Sequence, residues 1–208
     1  MSFYKSTRSV LFQESLALAK KNDFNGAKKM ILDCVPQGKQ AFLKDFEKFP
    51  EKVLSASKAT PWLEENIAYG NPVPATFGKL HWNIAIGDDH VFYVDVTCLD
   101  AQNNPIKNML NESMLVLEAL SGEDYGCKRL SSDCDNWCEI GDKEIEGLQF
   151  KGNSIGSRTV YDAFASVVLL EYVFRLQKTL SEKSVFKKIS YTNSVSSISD
   201  TGQRTNVA

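Results

Sequence analysis

The chain has 208 residues, 26 acidic against 24 basic, for a formal net charge of -2. That balance gives no field to draw in a phosphate backbone or an anionic membrane, so neither nucleic acid nor membrane is expected as a partner. The length suits one core with appendages.

The first 21 residues, "MSFYKSTRSVLFQESLALAKK", lack the long uncharged core of a signal peptide, because Gln13, Glu14 and Lys20 interrupt it. They read as an amphipathic helix. Val10, Leu11, Ala17 and Leu18 space one apolar face, and after the break at "KNDFNG" the residues Phe24, Ala27, Met30 and Ile31 continue another. A third helix is predicted after Pro36, with Ala41, Phe42, Phe46 and Phe49 as its buried stripe. Prolines 61, 72 and 74 with glycines 70 and 78 then mark a long irregular connection.

Residues 78–100, "GKLHWNIAIGDDHVFYVDVTCLD", form a strand pair. The even positions Leu80, Trp82, Ile84, Ile86, Phe92, Val94, Val96 and Cys98 are apolar, whereas His81, Asn83, Tyr93, Asp95 and Thr97 are odd. Side chains alternate with period two, so burying one apolar face puts His81 and Asp95 together on the other. A three-residue turn over 87–89 sets His81 directly across from Asp95, where the carboxylate can orient the imidazole.

Further on, "NESMLVLEAL" is predicted as a short helix capped by Asn111, and residues 121–157 as mostly loop with short strands such as 148–150. Thr159 and Asp162 read as a capping box opening an apolar helix that reaches about Lys178. Its greasiest stretch, 163–170, is far shorter than a membrane span, and a soluble protein is expected. The Ser, Thr and Asn-rich tail over 193–208 is predicted disordered, which leaves 1–192 as a single α+β domain.

Five cysteines (Cys34, Cys98, Cys127, Cys134 and Cys138) make an odd number, which favours reduced thiols. Three cluster in "CKRLSSDCDNWC", with no fourth ligand nearby, so no metal and no other cofactor is expected. Cys34 is the candidate nucleophile. In "LDCVPQGKQ" it precedes a predicted helix start at Pro36, where free N–H groups and the positive dipole end favour thiolate.

The stretch "LHWNIAIGDDHVFYVDVTCLD" resembles the His and Asp strands of papain-like and transglutaminase-like cysteine enzymes, bacterial effector glutamine deamidases among them. The chain order Cys34, His81, Asp95 follows theirs. The resemblance implies a papain-like α+β fold and a protein substrate. The Cys34 thiolate would attack an amide, His81 act as base and Asp95 orient the imidazole; the thioester would end in proteolysis, deamidation or transamidation. Trp62, Asn83 and Tyr93 would border the substrate. It also implies a cytoplasmic enzyme, or one delivered into a host cell without a classical signal peptide.

"HWNIAIGDDHVFY" is similar, too, to the permuted lecithin retinol acyltransferase-like proteins, whose nucleophile follows the His. The later helix here opens with Ser154 and Ser157 and no cysteine, leaving Cys134 or an inactive protein under that topology. A different class remains: a noncatalytic binding or immunity-type protein on a similar scaffold, with His81 and Asp95 structural and Cys34 buried.

Overall fold

The structure, a computed structural model, describes residues 6–40, 43–44, 47, 63, 67, 76–87, 92–107, 109, 111–117, 146–182, 186–199 and 203–207. Helix α1 spans Val10–Lys20 and α2 spans Phe24–Leu32. Ser9 caps α1 by accepting from the Phe12 N–H, and Asp23 caps α2 by accepting from the Gly26 N–H. A Cβ at Gly26 would lie 2.3 Å from the Asp23 carboxylate, so this cap needs glycine there. Asn22, at φ 63°, takes the left-handed turn between the two helices, a conformation asparagine tolerates. The break predicted at "KNDFNG" is therefore a capped turn.

Strands β1 (Lys79–Ile86) and β2 (Phe92–Leu99) pair antiparallel, and β3 (Asn111–Leu117) pairs with β2. Residues predicted as a helix behind Asn111 thus form a strand instead. Seven residues with Met114, Leu115, Val116 and Leu117 in one run suit either state, and the free edge of β2 decides.

The small hairpin β4 (Gln149–Phe150) and β5 (Asn153–Ser154) turns through Lys151 and Gly152, both at positive φ, as a two-residue hairpin of the twisted sheet type requires. Helix α3 then runs Ser157–Leu180. It starts from an extended Gly156, ahead of the predicted capping box. Asp162 is buried inside the helix, ion-paired to Arg158 at 2.7 Å and accepting from Ser6 Oγ at the same distance.

The polar tail, predicted disordered, forms β6 (Ser190–Ile198) and β7 (Arg204–Asn206). β6 runs parallel to β1 and β7 antiparallel to β6, giving the order β3-β2-β1-β6-β7. Its ladder partner is a buried central strand and its serines and threonines find partners on that strand, so composition alone misjudged it.

Helices α1, α2 and α3 pack on one another, and α3 lies over β1 and β6. The even residues Leu80, Trp82, Ile84, Ile86, Phe92, Val94, Val96 and Cys98 all join the buried core with α1–α3. Phe92 meets Tyr161 of α3 edge to face with centroids 5.7 Å apart, and Gln177 of α3 donates to Asn193 of β6. The helices therefore cover the even face, and the odd face looks the other way. The described residues form an α+β arrangement of a mostly antiparallel sheet with α1–α3 on one side.

Candidate functional site on the polar face of the sheet

His81, Asn83 and Asp95 share one face, as the alternation requires, but the register is displaced by two residues. His81 stands across from Thr97, Asn83 from Asp95 and Ala85 from Tyr93. The strands join over 87–91, two residues more than predicted. A shift of two conserves which face each side chain occupies, so alternation fixed the face and left this step open.

The nearest neighbours of His81 come from β6. Its Nδ1 lies 2.9 Å from Thr192 Oγ1 and its Nε2 3.0 Å from Ser194 Oγ. Ser194 Oγ donates to Asn83 Oδ1 at 2.8 Å, and Asn83 Nδ2 donates to Ser196 at 2.9 Å and to Asp95 at 3.3 Å. Arg204 of β7 ion-pairs with the same Asp95 oxygen. β6 is parallel to β1 with His81 level with Thr192 and Asn83 level with Ser194, which brings these hydroxyls alongside.

The proton directions follow from the ionised end. A carboxylate only accepts, so the Asn83 atom facing Asp95 is the amide nitrogen and its oxygen faces Ser194. Ser194 spends its one proton on that oxygen and is left to accept the Nε2–H of His81. Nδ1 then carries the lone pair and accepts from Thr192. Every link from Arg204 to Thr192 is thereby satisfied, with His81 neutral. Burial, and next the positive charge of Lys79, push the His81 pKa down, which agrees with the neutral ring.

Both ring nitrogens of His81 face hydroxyls, those of Thr192 and Ser194, and not a thiol, and the Ser194 proton points to Asn83, away from the imidazole. Cys34 is elsewhere. It follows the C-cap Asp33 of α2 and donates from Sγ to the Met30 carbonyl at 3.3 Å. After Pro36 the chain makes a 3₁₀ turn over Gln37–Lys39, and Leu43 and Lys44 are helical, the Lys44 N–H bonding to the Gln40 carbonyl at 3.3 Å; the predicted stripe Ala41, Phe42, Phe46 and Phe49 lies outside the described residues.

Cys34 therefore sits at the negative end of a helix dipole, the reverse of the expected setting. Burial, and then the Asp33 carboxylate, raise its pKa to about 11. It belongs to the core on the helix side, whereas His81 lies on the opposite face of the sheet. The structure brings His81, Asn83 and Asp95 together and does not bring Cys34 to them.

Tyr93 is half-buried on the polar face of β2. Trp62, Cys127, Cys134 and Cys138 lie outside the described residues. Ser154 is in β5 and Ser157 opens α3, and His81 bonds to neither. Among the described residues no group of three His, Cys, Asp or Glu side chains has a metal-holding arrangement, and no helix is long and apolar enough to cross a membrane.

Thr192, Ser194, Ser196 and Arg204 were the residues that sequence reasoning missed. A signal was present: Ile189, Tyr191 and Val195 alternate with Thr192, Ser194 and Ser196 in strand fashion. Comparison with family models, curated proteins and solved structures finds no match to the chain.

Proposed function

We propose that the protein acts by binding a protein partner, with the sheet as a preorganised scaffold, and not through a cysteine nucleophile. The observation that carries this reading is the directed chain Arg204–Asp95–Asn83–Ser194–His81–Thr192, which uses the histidine proton and lone pair internally. A network satisfied at every link, with Asn83 and Asp95 buried in it, rigidifies the sheet that carries it.

The papain-like or transglutaminase-like enzyme is the second reading, favoured by the common face of His81 and Asp95. It needs the thiolate of Cys34 within reach of His81. Mapping alkylation by iodoacetamide on the native full chain near neutral pH separates the two. Binding predicts that Cys34 labels slowly and at the same rate in His81→Ala, since a thiol with pKa about 11 is almost entirely protonated at that pH. Fast labelling of Cys34 that slows in His81→Ala would establish the thiolate and imidazole as partners and remove the binding reading.

A further inference from the structure

The two hydrogen bonds that bracket β6 fix which way its backbone points. The Ser190 N–H donates to the Gly78 carbonyl at 3.0 Å, toward β1, and the Val195 carbonyl accepts from the Val207 N–H at 2.8 Å, on the β7 side. Backbone direction alternates along a strand, so even residues of β6 bond to β1 and odd ones face outward. β7 pairs with β6 only over 196–198. Among the described residues no strand pairs with the outer side of 190–194. Among the described residues the outward N–H and C=O groups of Tyr191 and Asn193 thus have no strand partner, and Asn193 is exposed.

A cavity of about 290 Å³ opens beside this edge, lined by Ala19, Lys20, Phe24 and Leu170 as well as Asn193 and Val195. Phe24 packs on Phe174 with ring centroids 5.5 Å apart, and Phe174 is 36% exposed, one of the large apolar side chains left at the surface. Exposed lysines prevail around the same place. Lys20 lines the cavity and Lys21 follows it, Lys178 adjoins the Gln177 that bonds Asn193, and Lys187 and Lys188 precede β6, against Asp23, Glu182 and a Glu171 already paired with Lys28 and Arg175.

We propose that the outer edge of β6 at Tyr191 and Asn193 takes up an extended, acidic segment of a protein partner as an added strand, one apolar side chain of which fills the adjoining cavity. An open edge recognises an extended backbone, a pocket beside it reads one side chain, and the lysines select Asp and Glu flanks. This rests on the binding reading above and supplies its partner class.

Amide exchange on the free full chain is the first part of the test: Tyr191 and Asn193 should exchange fast, with Thr192 and Ser194 protected by β1. Peptides are then selected from a displayed random twelve-residue library on the full chain. They are expected to be enriched in Asp and Glu, and to protect the Tyr191 and Asn193 amides on binding. Asn193→Pro removes an outward N–H and leaves the β1 ladder intact. It should weaken those peptides by about tenfold or more, whereas Asn193→Thr, which keeps the N–H, should bind like the parent.

Lys20→Glu, a surface charge reversal, should weaken the same peptides several-fold, and serves if the proline variant does not fold. Equal binding to Asn193→Pro and the parent, or slow exchange at Tyr191 and Asn193 in the free chain, would overturn the proposal. So would a dimer abolished by Asn193→Pro, which would give the edge to a second copy, or a library that yields no binder. Peptides that protect amides elsewhere would overturn the edge and leave the binding reading standing; His81-dependent labelling of Cys34 would remove that reading itself.

Discussion

On one face of β1 and β2, Trp82, Ile84, Phe92 and Val94 are buried against α3 and its neighbours; on the other, His81, Asn83 and Asp95 bond to the hydroxyls of β6 and to Arg204. The first face is held by volume, so its losses scale with atoms removed from a close-packed core. The second is held by direction, so its losses depend on which partner is left without a bond. One strand pair thus carries two kinds of stability, and substitutions on its two faces should fail in different ways.

The largest effect is expected on the apolar face. Trp82 is fully buried, and Trp82→Ala should cost about 3–5 kcal/mol, measured by denaturant unfolding. Among the described residues its Nε1 has no hydrogen-bond partner, so Trp82→Phe, which removes the buried donor and keeps much of the volume, should recover most of that loss. If Trp82→Phe is as damaging as Trp82→Ala, the indole is held by a contact of its N–H and not by volume.

A polar intrusion into the apolar side comes next. Arg158 pairs with Asp162 inside α3 and also donates to the Gly87 carbonyl, tying the helix start to the end of β1. Removing the cation strands a buried carboxylate, and Arg158→Met should cost about 3 kcal/mol at neutral pH, near the lower end for buried pairs because Arg158 keeps some solvent contact. Burial already pushes the Asp162 pKa up, with Arg158 and Ser6 opposing it. Without Arg158 the carboxyl is better kept protonated, so the deficit should shrink as pH falls toward the ordinary carboxylate range. A deficit independent of pH would mean that the Gly87 contact, and not the charge, is what Arg158 provides.

Asn83 is the hub of the polar face, accepting from Ser194 and donating to Asp95 and Ser196. Asn83→Ala should cost about 1–3 kcal/mol, and Asn83→Asp should be no better, because a second carboxylate would face Asp95. Ser196→Ala, which removes a single link, should cost nearer about 1 kcal/mol. Equal effects from Asn83→Ala and Ser196→Ala would dissolve the hub and reduce the face to independent pairs.

The same division explains what could be read before the fold was known. Alternation in 80–98 identified the buried face and placed His81, Asn83 and Asp95 together, because burial of one face leaves no other parity. The register escaped by two residues, since parity is blind to that step. The setting of Cys34 escaped because the thiol packs back on the end of α2, bonding to the Met30 carbonyl, while the chain after Pro36 makes a 3₁₀ turn and is helical only by Leu43 and Lys44. β6 was lost because its stability lies in partners 111 and 113 residues away, which a window of local composition does not contain.

The smallest expected effect is also the one specific to the imidazole. The folded His81 pKa lies below its ordinary value, so between the two the unfolded chain binds a proton that the folded chain refuses. The contribution of His81 is therefore fully present above about pH 6.5 and lost as pH falls from there through the depressed folded value. The ring is half-buried, and the change is expected to be a shallow slope in unfolding free energy. The chain has a second histidine, His90, so the informative quantity is the difference between the parent and His81→Gln, which can still donate to Ser194 but takes no proton. That difference should appear only on the acid side. Lys79→Gln removes the second cause of the depression and should move the slope to higher pH. A parent and His81→Gln with parallel profiles would mean that Thr192 and Ser194 accommodate the imidazolium as readily as the neutral ring, and that the direction of the chain is set at Asp95 without reaching His81.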